Sequence, residues 1–107
     1  MSEKTIPQIE RRITRIKKAL AGIGPMRPGS LTCQYKNPVE KTGPYWQISY
    51  TRQMRSRTEY VRTESVPEVR KQIAAYKRFK LLTDEWVNLS IELAKLRTQI
   101  EKEKASR

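Results

Sequence analysis

Between Glu68 and Arg107 the chain has neither glycine nor proline, and its apolar residues keep helical spacing throughout. Val66, Val69, Ile73, Tyr76, Phe79, Leu82, Trp86, Leu89, Leu93, Leu96 and Ile100 stand 3, 4, 3, 3, 3, 4, 3, 4, 3 and 4 residues apart. That spacing keeps one face apolar in an α-helix and in no other regular structure, so it predicts a helix over residues 66–104, about 38 residues and about 57 Å long. Ser65-Val66-Pro67-Glu68 supplies a start signal. The consecutive three-residue steps between Ile73 and Leu82 resemble a stammer and predict a change of packing partner there. Thr83-Asp84-Glu85 offers the alternative of a capped second helix.

A helix of that length needs more than one partner. Ile6, Ile9, Ile13, Ile16, Leu20 and Ile23 alternate steps of three and four, with Arg11, Arg12, Arg15, Lys17 and Lys18 on the other faces, which predicts an amphipathic helix over residues 5–21. Gly22, Gly24, Pro25, Pro28 and Gly29 then break it. The coiled-coil-like stripe over residues 83–104 is read as a helix-pairing segment, giving a homodimer through the terminal helices; an intrachain helical hairpin is the alternative.

The middle of the chain changes period. Leu31, Cys33 and Tyr35 alternate with Thr32, Gln34 and Lys36, and Trp46, Ile48 and Tyr50 alternate with Tyr45, Gln47, Ser49 and Thr51. Period two is the mark of half-buried strands, and short connections predict an antiparallel three-stranded sheet over residues 30–63. The third strand, near Arg57 to Thr63, has no unique phase because Tyr60 and Val61 are adjacent. The fold class is therefore α+β, a single domain over residues 1–107 with an N-terminal helix, the sheet and the long C-terminal helix.

Charge then narrows the function. Lys and Arg number 23 against 11 Asp and Glu, for a net charge of +12. Residues 1–65 carry net +8, residues 66–82 net +4, and residues 83–107 none. Such a field attracts polyanions, with the hairpin and the first part of the long helix as the contacting region. With Leu31, Ile48 and their neighbours facing the helix, Gln47 and Ser49 face outward, and Arg52, Arg55, Arg57 and Arg62 are read as rimming the same face. Arg27, Lys36, Arg70 and Lys71 complete the candidate nucleic-acid contacts.

Catalysis finds little support. There is no histidine, and Cys33 stands alone, so the commonest general base is missing and no zinc ribbon or intrachain disulfide can be assembled. Asp84 with Glu85, and Glu101 with Glu103, read as solvated helix charge; neither a metal nor another cofactor is expected. Gly22-Ile23-Gly24 lacks the Lys-Ser or Lys-Thr of a phosphate loop, and Ser49, Tyr50 and Tyr60 have no visible activating base. Met1-Ser2-Glu3-Lys4-Thr5 has no apolar signal segment and no 18-residue apolar run occurs, so the chain reads as cytoplasmic, without a membrane partner.

The segment from Leu20 to Leu31, with Gly43-Pro44-Tyr45-Trp46, Tyr60-Val61 and Val69 to Phe79, resembles a family of small uncharacterised bacterial proteins often encoded beside transposases. The resemblance covers roughly residues 18–90. Members with several cysteines before the Gly-Pro-Tyr element imply a metal, but this chain has none between Asn37 and Pro44, so that implication does not carry over. The element order is also similar to the arm-site domains of tyrosine recombinases and to AP2-type domains, which implies groove contact by Gln47, Ser49, Arg52, Arg57 and Arg62. The reading reached is a non-enzymatic DNA-binding accessory or regulatory protein of a mobile element, with a transposase or recombinase as protein partner. The alternatives are a protein-interaction module, as adaptor or inhibitor, and an RNA or ribonucleoprotein subunit.

Overall fold

Thr5 and Gln8 start the first helix by exchanging bonds. The Gln8 backbone N–H donates to Thr5 Oγ1 at 3.4 Å, and the Thr5 N–H donates to Gln8 Oε1 at 3.2 Å. A computed structural model of the protein describes residues 5–105. In chain order these form α1 (Ile6–Ala21), β1 (Ser30–Asn37), β2 (Thr42–Arg52), β3 (Arg55–Val61), a 3-10 turn (Thr63–Ser65) and α2 (Val66–Ala105). This is the expected α+β order, and α2 runs unbroken through Thr83-Asp84-Glu85.

The strands form one antiparallel sheet in the order β1-β2-β3. Leu31 pairs with Ile48 and Cys33 with Trp46 on one side of β2; Val61 pairs with Trp46 and Glu59 with Ile48 on the other. That register settles the phase of β3. Val61 must share the face of Trp46 and Ile48, so Glu59, Arg57 and Arg55 follow it there, while Tyr60, Thr58 and Ser56 turn to the opposite face. The start of α2 covers the first face: Val66, Val69 and Ile73 are buried with Ile48 and Val61, and Leu31 and Trp46 pack around them.

The chain divides into two compact units, one holding α1 with α2 from Phe79 onward, the other Gly24–Arg78. Their boundary falls within the three-residue steps between Ile73 and Leu82, where a change of partner is expected from the sequence. In the first unit Ile9, Ile13 and Ile16 of α1 are buried with Leu89 of α2, and Leu20, Leu82, Trp86, Leu93 and Leu96 close the seam. Residues 83–104 thus find their partner within the same chain, as in the helical-hairpin alternative. Arg12–Glu85 and Arg97–Glu10 ion pairs, both 2.7 Å, flank the seam. Lys17 lies over the Trp86 ring, 5.3 Å from its centroid.

Candidate nucleic-acid interface

The sheet in the Gly24–Arg78 unit is wider at one end than at the other. Ser30, where β1 begins, pairs with Ser49, whereas β2 and β3 continue through Tyr50–Arg57, Thr51–Ser56 and Arg52–Arg55 to a two-residue turn at Gln53-Met54. The hairpin therefore stands beyond β1 as a two-stranded arm. β3 begins at Arg55, two residues before the Arg57 start expected from the sequence, and β2 runs to Arg52, so all three arginines lie in strand. Only Gln53 and Met54 form the turn, with φ of 52° and 65°.

The arm separates two chemistries. Arg52, Arg55 and Arg57 share the face of Tyr50, which is the helix-packed face, and so do not rim the face of Gln47 and Ser49, contrary to expectation. The physical reason is strict alternation: Arg52 is in phase with Tyr50 and Ile48, and the two-residue turn sets Arg55 directly across from it. Neither Arg52 nor Arg55 has a carboxylate partner among the described residues. Arg57 lies close enough to Tyr50 and Glu59 to favour their ionised forms.

The opposite face is uncovered and almost wholly polar. Ser30, Ser49 and Thr58 form one row across it, and Thr32, Gln47 and Tyr60 the next. Ser49 and Thr58 share a hydroxyl–hydroxyl bond of 3.2 Å, and Thr51 and Ser56 one of 3.1 Å. Lys36 belongs to this face nearer the other end, with Gly43 packed against its side chain. Hydroxyls and amides here can donate or accept, as base edges require, and their mutual bonds hold them in place.

The remaining candidates divide. Arg27 is committed internally: its guanidinium donates to Glu59 at 2.9 Å, and its backbone N–H donates to the Gln72 carbonyl at 3.1 Å. Tyr50 donates to the other oxygen of Glu59 at 2.8 Å. These two bonds hold the Glu59 carboxyl below its ordinary range, and the bond to Glu59 holds the Tyr50 phenol above its own. Arg62 sits just past β3, exposed and 3.7 Å from Glu64. Arg70 lies over Trp46, 5.3 Å from the ring centroid, and with Lys77 lines a shallow groove against Ser30 and Leu31. Lys71 is exposed on α2. Gln47 and Ser49 are thus assembled with Lys36, and Arg52 with Arg55 and Arg57; Arg27 joins neither set.

Sequence reasoning missed Ser56, Thr58 and Tyr60 on the polar face, and Gln53 and Met54 at the tip. Requiring Val61 opposite Trp46 would have found the first three, because the register follows from a two-residue turn at 53–54. Among the described residues no three His, Cys, Asp or Glu side chains gather as a metal site, and no helix is long and apolar enough to cross a membrane.

A small basic α+β unit, with one sheet face covered by a helix and the other polar and open, is the class that these features define. The family described as domain of unknown function (DUF6788) matches residues 6–71, more than half of the chain, and the protein belongs to it. The match takes in α1, the whole sheet and the start of α2. No curated protein and no solved structure matches the chain.

Proposed function

We propose that the protein is a non-enzymatic binder of double-stranded DNA, in which the β2–β3 arm engages phosphates and the polar sheet face lies toward base edges. One observation carries the reading: Arg52 and Arg55 are paired directly across a protruding arm, with Arg57 beside them and no carboxylate opposite. Like charges so placed oppose folding by about 0.2–1 kcal/mol per pair. A phosphate between the guanidiniums reverses the sign, since Arg binds it through charge-assisted, often bidentate bonds. The residues 24–78 carry 11 basic and 4 acidic side chains, so the field around the arm is cationic. The resemblance to proteins encoded beside transposases makes the proposed role that of an accessory or regulatory factor of a mobile element.

Fluorescence-anisotropy titrations of duplex DNA, single-stranded DNA and hairpin RNA at several salt concentrations test this. Duplex preference with a steep salt slope is expected. The variant Arg52→Ala/Arg55→Ala/Arg57→Ala should bind less tightly, with the slope reduced by up to about 2.7, at roughly 0.9 for each phosphate no longer neutralised. Preference for the RNA hairpin would replace DNA with RNA as target, and absence of binding to all three would sink the reading.

A protein-interaction role is favoured by a different observation. Val87 and Ile91, one turn apart on α2, are 57% and 50% exposed although large and apolar. A heterocomplex that Val87→Lys/Ile91→Lys disrupts, in a protein without DNA affinity, would establish that role instead.

A further inference from the structure

The tip of the arm is built from residues that its own geometry disfavours. Both central positions of the turn have positive φ, Gln53 at 52° and Met54 at 65°, which is the geometry of a type I′ turn. Asn-Gly satisfies that turn without strain, whereas side chains such as Gln and Met crowd the neighbouring backbone there. Met54 is also 99% exposed, the highest value among the exposed large apolar residues that the structure describes, with Val39 at 92% the next. Packing does not explain it. A strained turn that holds a long apolar side chain wholly in water, at the outermost point of the hairpin, serves contact with something outside the chain.

The flanking residues indicate what that is. Arg52 and Arg55 stand one residue to either side of the turn, so any surface that receives Met54 meets two guanidiniums at once. An acidic protein surface would satisfy the arginines and leave Met54 against polar groups. Duplex DNA offers both chemistries within a few ångströms: phosphates along the groove edges, and apolar stacked bases between them. The minor groove is about 6 Å wide, too narrow for the two-stranded ribbon that the major groove of about 12 Å admits, so only the side chains at the turn can enter it. Its floor presents acceptors, which suit the Gln53 amide as donor.

The geometry points to Gln53-Met54 as a minor-groove wedge, in which Met54 enters between base pairs and bends the duplex while Arg52 and Arg55 hold the flanking phosphates. The inference rests on the DNA-binding reading above and adds to it the groove, the inserted residue and the deformation. Pyrimidine–purine steps, above all TA, unstack most easily and are the expected point of entry.

The test uses the full chain at saturating concentration on a duplex carrying a donor and an acceptor dye at its ends and a fluorescent adenine analogue at a central TA step. The expected result is a rise in energy transfer as the ends approach, with a rise in analogue emission as the step unstacks. Met54→Ala should weaken binding by anisotropy several-fold and, when brought to saturation at a higher concentration, lose most of both signals. Gln53→Asn/Met54→Gly gives the turn its preferred residues, so it should melt at a higher temperature than the parent and also fail to bend the duplex. Saturation by the parent with neither signal changed would overturn the wedge and leave DNA binding standing, as would bending by Gln53→Asn/Met54→Gly equal to the parent. Failure of the parent to bind the duplex at all would remove both.

Discussion

Gly29 decides whether the connector before β1 can close against the sheet. Its φ is +144°, and a Cβ at this position would stand 2.6 Å from Ile48 Cγ1, in the centre of a core where Ile48 is fully buried. Ile48 cannot yield without disturbing Val61 and Val69, so Gly29→Ala should destabilise by about 1–3 kcal/mol, read as a lower urea midpoint at unchanged m-value. The Glu59 carboxylate acts nearby in a different way, binding the connector through Arg27 and β2 through Tyr50. Because its folded pKa lies below the unfolded one, its contribution is present above the unfolded value and fades as pH falls through the folded value. The Tyr50 phenol is raised, chiefly by the same bond, so its contribution is present below the unfolded phenol value and fades as pH rises through the folded one. Glu59→Gln should therefore flatten both the acid and the alkaline limbs of stability against pH. Equal limbs in parent and variant, followed by urea titration at each pH, would show that the cluster contributes nothing.

On the DNA-binding proposal, the two faces of the sheet carry separate signatures. Phosphate contacts set affinity and salt dependence, whereas groove contacts set sequence preference. Replacing Arg52, Arg55 and Arg57 should thus weaken binding to all duplexes alike and reduce the salt slope. Gln47→Ala/Ser49→Ala/Thr58→Ala, on the opposite face, should leave the slope intact and reduce discrimination between duplexes, by about 1–3 kcal/mol for each specific pairing removed. Selection of preferred sites from a random duplex pool, with parent and variant side by side, makes the comparison. Both helices and the first two strands were legible in the sequence because their apolar residues keep a single period over many residues. The phase of β3 was not, since its local pattern is only Tyr60-Val61; the phase comes from pairing Val61 with Trp46, a contact 15 residues distant in sequence. The same long-range register moved Arg55 and Arg57 away from Ser49. The α1 pairing was legible as a stripe in want of a partner but not as a choice of partner, because an identical stripe fits a second copy of the chain and the same chain equally well.

At the scale of the whole chain, two small cores share one helix and no buried residue. Ile48, Val61, Val66, Val69 and Ile73 form one core; Ile9, Ile13, Ile16 and Leu89 form the other. Between Ile73 and Leu89 no residue of α2 is fully buried, and within that stretch the Thr83 hydroxyl bonds back to the Phe79 and Lys80 carbonyls, both at 3.0 Å, a pattern that slightly weakens helices. Helix continuity is a weak coupler, since each added residue of helix contributes little beyond its own hydrogen bond. The two cores should consequently unfold separably, and the chain supplies a reporter for each: Trp46 packs against the first and Trp86 against the second. Ile9 is fully buried, so Ile9→Ala should cost about 2–5 kcal/mol in the helical unit. In a Trp46→Phe background, urea titration of Trp86 emission should then move to a lower midpoint. In a Trp86→Phe background, the Trp46 transition should stay where it was. The seam also limits how copies of the chain associate: with Ile9, Ile13, Ile16 and Leu89 already buried in one chain, a homodimer through the same residues must exchange α1 between copies. Such an exchange would make the Trp86 midpoint rise with protein concentration while that of Trp46 stayed fixed, whereas a common midpoint for both reporters in every variant would mean that the helix binds the two cores into one cooperative unit.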